Sequence, residues 1–483
     1  MERRVVITGL GAVCGLGVGI GPLWEGLLAG RSGLRRIRLF DPAGFPCRIG
    51  AEVPGFTGAK DYVPKSYRKA VKVMARDIEL AVAAAKLAVE DARLVTRGTL
   101  PEGATDPTTY PNARMGCHIG AGLIAAETTE LTTAMATAAM SDVAGDPDRS
   151  AGSTSDGHPT SDIRRRLDLR AWGDAEGGAG AMNNLPPLWL LKYLPNMLAC
   201  HVTIIHGAEG PSNTITCAEA SGLLSIGESL RVIERGDADL CFSGGAESPI
   251  NHMRLLRMEM TGRLAHTGDA EDGAAFVRPY DAGNRGGGGG GGGLLGEGGG
   301  ILIVEALDTA TGRGARAYAE IAGFGAAHSA PPRDGWIRPA GTDLDEGTQY
   351  AIENALDDAG LRPDQIDAII PHASGTPAFD SGEAGALRAV FGGRLREIPL
   401  VTLTPSLGDC MASSGGLAVA IAAKCLSEQK LPARLHAGTP PPDLQAGPSP
   451  ARETPLRHIL VATGALGGQN AALILRRAPE PSA

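Results

Sequence analysis

Apolar and polar positions along this chain alternate between two periods, one typical of strands and the other of helices. Short β-branched or apolar runs predict strands at 3–11, 201–205, 213–216, 301–305, 317–324 and 366–371. Apolar residues at three- and four-residue steps predict helices at 62–94, 188–200, 223–234 and 346–359. Strands that alternate with helices are typical of an α/β protein with largely buried sheets.

The strand predicted at 213–216 runs almost directly into the helix predicted at 223–234. Small residues separate the two elements, with Cys217 and Glu219 among them. A helix N-terminus offers free backbone N–H groups and the positive end of the helix dipole. Enzymes use this geometry to activate a nucleophile or to hold an anion, so we expect the functional centre here.

Length and composition limit the function classes. A chain of 483 residues exceeds one average domain and predicts two domains or one duplicated fold. A net charge of −9 gives no indication of binding to nucleic acid or to an anionic membrane. The 8 cysteines form no Cys-x-x-Cys pair, and no signal peptide or membrane span is evident. We therefore expect a cytoplasmic protein with reduced thiols and with neither metal nor cofactor.

Two segments differ in composition from the rest. Residues 128–180 are rich in Ala, Ser, Thr, Gly and Asp, which predicts an exposed insertion. Residues 286–293 are eight consecutive glycines, which predict a flexible loop without chemistry, because such a run cannot pack. The pair Gly9 and Gly11 is a weak phosphate-loop signal, and a structural role is favoured.

The strand-to-helix stretch resembles the nucleophile turn of the β-ketoacyl-[acyl carrier protein] synthases, which have the thiolase fold. Gly210-Pro211 upstream matches the family's Gly-Pro. Downstream, 235–239 and 243–247 match its Arg-Gly-x-Ala-Asp and Gly-Gly-x-Glu runs. Both anchors place the family's cysteine at Glu219, and Cys217 would require a two-residue shift. The opening segment and the Arg278-Pro279-Tyr280-Asp281 motif resemble the same family.

The other catalytic motifs of the family also have counterparts here. The segment from His372 to Glu383 resembles the family's first catalytic histidine motif, with Thr376, Asp380 and Glu383 as supporting residues. Three further positions depart from the pattern: Thr404 stands for the lysine, Asp409 for the second histidine, and Gly464 for the gating phenylalanine.

The resemblance implies a duplicated α-β-α-β-α layered fold with mixed five-stranded sheets, divided into halves at 1–270 and 271–483. The family's activity is acyl transfer with condensation. A carboxylate at Glu219 cannot form the acyl-thioester, Thr404 carries no charge, and an ionised Asp409 would repel an enolate. Glu219 would either stabilise its helix, typically by ~0.3–1 kcal/mol, or fill the acyl or malonyl site. The backbone N–H of Gly464 could still serve as an oxyanion donor.

The leading hypothesis is therefore a condensation-deficient homologue that acts like the chain-length factor, or β-subunit, of a type II system. The alternatives are a malonyl-carrier-protein decarboxylase, an enzyme that uses Cys217, or an ordinary active synthase. The resemblance implies an acyl carrier protein as a partner, and either a synthase paralogue or a second copy of this chain.

Lys65, Arg68, Lys69 and Lys72 form a basic face at the start of the helix predicted at 62–94. A run of charge on a helix is usually a solvated face. The family commonly docks the acidic carrier protein on basic residues in this region, and both interpretations stay open at this point.

Overall fold

The computed structural model describes residues 3–101, 103–104, 107–138, 180–186, 188–281, 283, 291–329, 344–465 and 467–479. These residues form two compact units. The first contains Met1–Ile124 together with Leu194–Ala483, and the second contains Ala125–Tyr193.

The larger unit contains the strands of one extended sheet and two small sheets. In chain order the strands are β1 (Val5–Cys14), β2 (Gly17–Val18), β3 (Arg35–Arg36), β4 (Ile49–Ala51), β5 (Met115–Ala121), β6 (Ser212–Ile215), β7 (Leu240–Glu247), β8 (Leu295–Gly296), β9 (Gly298–Ala306), β10 (Ala319–His328), β11 (Ala368–Ile370), β12 (Lys430–Leu431), β13 (Arg452–Glu453), β14 (His458–Gly464) and β15 (Gln469–Arg477).

The α-helices of the described residues, again in chain order, are α1 (Ile20–Leu28), α2 (Arg76–Asp91), α3 (Thr128–Ala138), α4 (Met197–His206), α5 (Ser221–Glu234), α6 (His252–Met260), α7 (Leu307–Gly312), α8 (Glu346–Ala359), α9 (Pro377–Phe391), α10 (Thr404–Leu407) and α11 (Ser414–Glu428).

The main sheet is mixed and has ten strands. Its order is β11-β14-β15-β10-β1-β9-β7-β5-β6, with β2 attached to β1. The pairs β5–β6, β5–β7 and β11–β14 are parallel, whereas β1 pairs antiparallel with both β9 and β10. Because β1 has a neighbour on each side, the strands of the two predicted halves form one continuous sheet.

Helices cover both faces of the sheet. Ile459 and Val461 of β14 belong to a core that also contains the apolar side chains of α5 and α11. Leu460 and Ala462, which alternate with them, belong to a second core with α8 and α9. Successive side chains of a strand point to opposite faces of the sheet, so β14 is buried on both faces. The sheet therefore lies between helical layers, and α5 and α11 are on the same side of it.

The smaller unit has its own apolar cluster. Ala134 of α3 packs with Ala181, Leu185 and the half-buried Trp189. An ion pair of 2.6 Å between Lys192 and Glu130 connects the segment before residues 139–179 with the segment after them. Most of the insertion predicted at 128–180 lies outside the described residues. The halves 1–270 and 271–483 remain a prediction.

Four local predictions were wrong. The region predicted as a helix at 188–200 contains a short 3₁₀ helix (Leu191–Tyr193), and α4 begins only at Met197. The helix predicted at 62–94 is interrupted at Met74, whose backbone is extended, and divides into a 3₁₀ helix (Lys65–Val73) and α2. The strand predicted at 201–205 is part of α4, where burial of His201, Val202 and Ile205 on one side satisfies helical spacing as well. The first strand, predicted to end at residue 11, continues to Cys14.

The polyglycine prediction is wrong at its described end. Residues 291–293 are buried, and Gly293 forms a β-bridge with Leu264. A Cβ atom at Gly292, whose φ is +140°, would lie 2.6 Å from the backbone nitrogen of Ala265. The absence of side chains therefore lets this part of the run pack closely, and residues 286–290 lie outside the described residues.

Among the described residues, no helix is both long enough and apolar enough to cross a bilayer. The predicted cytoplasmic location remains a prediction.

The structural role expected for Gly9 and Gly11 gives a prediction about stability. A Cβ atom at Gly11 would lie 1.8 Å from the carbonyl oxygen of Ala84 in α2. Gly11→Ala should therefore push α2 off the sheet and lower the free energy of unfolding by about 1–3 kcal/mol. Gly44→Ala is the control, because a Cβ atom there meets nothing within 4 Å. Urea denaturation measures both variants, and equal midpoints for the two would contradict the close approach.

Candidate functional site

Two similar turns bring the N-termini of α5 and α11 together. The 3₁₀ helix Ala218–Ala220 leads into α5, and the 3₁₀ helix Met411–Ser413 leads into α11. Ala218 and Met411 each begin their turn with positive φ, at 47° and 52°. Such a conformation costs about 1–3 kcal/mol in a non-glycine residue and is typical of functional sites.

The two turns are in close contact. A Cβ atom at Gly222 would lie 2.5 Å from the carbonyl oxygen of Ala412. Glycine is therefore required where the first turn of α5 meets the second 3₁₀ helix. The two helix N-termini consequently direct their positive ends towards one shared region.

Glu219 lies in the first turn and is fully buried. Its Oε1 atom accepts a hydrogen bond of 2.5 Å from Nη2 of Arg263, a residue that is only 4% exposed. The guanidinium of Arg263 also lies over the ring of Phe379, 5.0 Å from the ring centroid. The nucleophile position of the turn therefore holds a carboxylate in a buried ion pair.

Asp409 extends this ion pair to His372. Its Oδ2 atom lies 3.6 Å from Nη2 of Arg263 and 3.5 Å from Nε2 of His372. Its Oδ1 atom accepts a hydrogen bond of 2.9 Å from the backbone N–H of Met411. Glu219, Arg263, Asp409 and His372 thus form one buried row of alternating charge, which we call the charge row.

The charge row shifts the protonation equilibria of its members. Burial alone would lower the pKa of His372, but the Asp409 carboxylate, with Glu219 and Glu383 behind it, raises this pKa to about 9. Burial alone would raise the pKa of Asp409, but His372 and Arg263 hold it below its usual range. His372 is therefore an imidazolium at neutral pH.

The predicted supporting residues hold the backbone beside His372. The Glu383 carboxylate accepts hydrogen bonds from the backbone N–H of His372 at 2.8 Å and of Ala373 at 2.9 Å, and from the hydroxyl of Tyr280 at 2.7 Å. Ala373 has a φ of 48°. Because Glu383 binds the backbone N–H of this strained residue and that of His372 before it, it holds the backbone from which the His372 side chain projects.

Asp380 and Thr376 complete this frame. Asp380 accepts from the backbone N–H groups of Tyr280 and Gly375 and from the Ser374 hydroxyl, and its burial raises its pKa to about 7. The Thr376 hydroxyl donates to the carbonyl oxygen of Arg263 at 3.4 Å. The His372 segment and the Arg263 segment are therefore connected directly.

Thr404 and Gly464 line two different cavities beside His372. Thr404 donates its hydroxyl to the carbonyl oxygen of Ala373. With His372 it lines a mostly apolar cavity of about 30 Å³, to which Leu403, Leu407 and Leu417 contribute. Gly464 lines a second, polar cavity of about 20 Å³ with His372 and Phe379. Each cavity has room for a water molecule or two.

Cys217 is half-buried on the strand side of the first turn. Burial raises the pKa of its thiol, and it lines neither of the two cavities around His372. Its backbone N–H donates to the Ser221 hydroxyl at 2.8 Å. This thiol therefore lacks the electropositive surroundings that make a cysteine reactive.

Sequence reasoning missed Arg263. The residue is a single arginine between Gly262 and Leu264, and nothing local in the sequence indicates a partner. Its two carboxylate neighbours lie 44 and 146 positions away, at Glu219 and Asp409. The acidic residues Glu219 and Asp409 were a partial signal of a buried cation, because buried carboxylates require one.

The basic face is present on the surface of the larger unit. Lys65, Arg68, Lys69 and Lys72 are all exposed on the 3₁₀ helix Lys65–Val73. No group of three or more His, Cys, Asp or Glu side chains within the described ranges is arranged to hold a metal ion.

The His372–Asp409 pair gives a prediction about pH. A shift of the His372 pKa from 6.5 to about 9 corresponds to roughly 3 kcal/mol of stability, since one pKa unit is 1.36 kcal/mol. Because the pKa is raised on folding, this stability is fully present below about pH 6.5 and is lost as the pH rises through 9. In Asp409→Asn, burial should dominate and move the pKa below 6.5. NMR titration of selectively labelled histidines measures this, and a wild-type His372 pKa below 7 would contradict the charge row.

Comparison with known proteins identifies the family. The family model described as "Beta-ketoacyl synthase, N-terminal domain" matches residues 2–155 and 174–310, and "Beta-ketoacyl synthase, C-terminal domain" matches residues 318–438. The chain is 28% identical over 478 residues to the "3-oxoacyl-[acyl-carrier-protein] synthase 2" of Staphylococcus aureus (strain COL), covering 99% of each chain. It is 29% identical over 482 residues to the "Putative polyketide beta-ketoacyl synthase 1" of Streptomyces halstedii, covering 98% of this chain.

A solved structure confirms the fold. A chain of "The ishigamide ketosynthase/chain length factor" superposes with a TM-score of 0.75 at 27% identity, covering 99% of this chain and 100% of that one. The predicted thiolase-like α/β fold is thereby confirmed. The two family models together match well over half of the sequence, and this chain therefore belongs to the beta-ketoacyl synthase family.

Proposed function

We propose that this chain is a condensation-deficient ketosynthase homologue of fatty acid or polyketide synthesis. In this proposal it acts as the chain-length-factor-like partner of an active ketosynthase whose substrates are carried on acyl carrier protein. The observation that carries the proposal is the buried Glu219–Arg263 ion pair at the nucleophile turn. A carboxylate bound to an arginine in this place cannot accept an acyl group as a stable thioester.

The state of the two remaining catalytic positions supports the same proposal. A condensing site needs imidazoles that support loss of CO₂ and stabilise the enolate. Here Asp409 occupies the second histidine position, and its negative charge lies 3.5 Å from the first histidine. Thr404 uses its hydroxyl on the backbone of Ala373 and supplies no charge. Loss of such charged groups should cost several kcal/mol of transition-state stabilisation.

The names of the relatives support the pathway and the partners. Those of the Staphylococcus and Streptomyces proteins indicate carrier-protein-linked and polyketide substrates. The ishigamide structure contains a ketosynthase and a chain length factor. For this chain we accordingly propose an acyl carrier protein and a ketosynthase paralogue as partners, with a homodimer as the alternative assembly.

The edge of the main sheet suits such a partner. β6 is the last strand on its side of the sheet, and both Ser212 and Asn213 at its start are exposed. An edge strand presents unpaired N–H and C=O groups that can pair with another chain. Co-expression with a cysteine-containing paralogue should therefore give a stable complex, whereas a lasting homodimer that never exchanges would favour the alternative.

A decarboxylase remains the second candidate, because Arg263 and His372 are two buried cations that could stabilise an enolate. Release of CO₂ from malonyl-carrier protein above the level of a His372→Ala control would support it over the chain-length-factor role.

Restoring the thiol gives a direct prediction. In Glu219→Cys, the helix N-terminus and Arg263 should lower the pKa of the new thiol and promote acylation. Intact-protein mass spectrometry after incubation with acyl-carrier protein should show one acyl adduct on this variant, and none on the wild type or on the matched Glu219→Ser variant. Condensation with malonyl-carrier protein should stay absent, since Asp409 and Thr404 are unchanged. An adduct on wild-type Cys217 would overturn the proposal.

The basic face gives a prediction about docking. Changing Lys65, Arg68 and Lys69 together to Glu should weaken carrier-protein binding at least tenfold at low salt, because steering by surface charge is lost. The control reverses Arg362, Arg396 and Arg457, which are also exposed and change the net charge by the same amount. Isothermal titration calorimetry measures the carrier-protein affinity of both triple variants. An equal loss of affinity in the two would show that only the net charge matters and would contradict a docking role for the basic face.

A further inference from the structure

We propose that Arg263 is a carboxylate-binding residue and that Glu219 of the same chain occupies it as an internal ligand. The ligand class is a small aliphatic carboxylate. The inference rests on the proposed function, because it assigns Glu219 the place of a ligand where the family has its nucleophile.

The hydrogen-bonding groups of Arg263 are only partly used. Nη2 donates to Glu219 at 2.5 Å, and Nη1 lies 3.9 Å from the sulfur of Met258. Nε has no hydrogen-bond partner among the described residues. A guanidinium presents its donors as a fork that fits both oxygens of a carboxylate. One buried arm of this fork is therefore available.

Glu219 is correspondingly a one-sided ligand. Oε1 binds Arg263, whereas Oε2 has no hydrogen-bond partner in the described part of the chain. Its side chain starts from a turn whose preceding residue, Ala218, has a φ of 47°. The tether therefore holds the carboxylate at one donor of the arginine. An untethered carboxylate of similar size could turn to use both Nε and Nη2.

The charges around Arg263 favour an anion in this position. Asp409 lies 3.6 Å from Nη2, but it also pairs with His372 at 3.5 Å. Within the charge row, the two carboxylates of Glu219 and Asp409 balance the two cations, and Glu383 lies behind His372. Removing Glu219 leaves Arg263 and His372 with one carboxylate between them, and an uncompensated buried charge is strongly unfavourable.

The surroundings give the ligand its chemical class. Met258 and the ring of Phe379 lie against the guanidinium, so the site suits a carboxylate with at most a small apolar body. Phe379 also lines the polar cavity of about 20 Å³ beside Gly464. One aromatic ring thus lies between Arg263 and this cavity, which places the entry route on the Phe379 side.

Chemical rescue tests the proposal. Glu219→Ala removes the internal ligand and leaves room for acetate or formate, which are the probes. The melting temperature of Glu219→Ala is measured in sodium acetate, sodium formate and sodium chloride at equal ionic strength. Acetate and formate should raise it by about 2 °C or more relative to chloride, since a ligand that binds only the folded state stabilises it. The wild type should melt at the same temperature in all three salts.

Two matched variants identify the binding group. Glu219→Ala combined with Arg263→Met should lose the acetate effect, and Glu219→Gln should show none because its amide fills the space. Glu219→Ser serves in the same assay if Glu219→Ala does not fold. Equal melting temperatures in acetate and chloride for the truncated variant would overturn the inference, as would an acetate effect that survives Arg263→Met. Neither of these two results would bear on whether the wild type has a nucleophile. The acylation experiment on Glu219→Cys therefore tests the proposed function separately.

Discussion

The site depends on one buried interaction, the ion pair between Glu219 and Arg263. Both side chains lie out of water, at 0% and 4% exposure. Transferring two charges into the protein interior costs several kcal/mol per ion, which is recovered only when the partners stay together. Loss of either partner would leave the other uncompensated. The pair therefore constrains which residues can occupy positions 219 and 263, and it determines which ligands the site can bind.

The other substitutions are consistent with this pair. Once Arg263 is present, Asp409 has a second cation besides His372, and its carboxylate can stay ionised between the two. Asp409 then holds His372 as an imidazolium, which removes the neutral imidazole that would accept a proton. In the proposed function, the departures at the cysteine and second-histidine positions therefore act as one coupled change.

The backbone around these residues is strained and firmly held. Strained φ values persist at Ala218, Ala373 and Met411, and Glu383 still binds both backbone N–H groups beside His372. Such strain is maintained only where the surrounding packing determines it. The packing therefore keeps the two helix N-termini close together around the charge row.

The sequence predicted the fold class, because local patterns and motif spacing carry that information, and several of its candidate site residues lie together in the structure. The helix Glu346–Ala359 lies where its apolar spacing placed it, and His372, Thr404, Asp409 and Gly464 surround one region. The sequence could not predict Arg263, since its partners are distant in the chain. The single continuous sheet and the packing of residues 291–293 likewise depend on tertiary contacts, which no local window contains.

A double-mutant cycle between Glu219 and Arg263 tests the account most directly. Glu219→Gln, Arg263→Gln and the double variant are unfolded in urea, and their free energies of unfolding are compared with the wild type. Each single change should cost about 3–5 kcal/mol. The double change should cost less than their sum, with a coupling energy of about 1–3 kcal/mol. Costs that add to within about 0.5 kcal/mol would show that the two residues do not act as a pair, and the account of the site would fail.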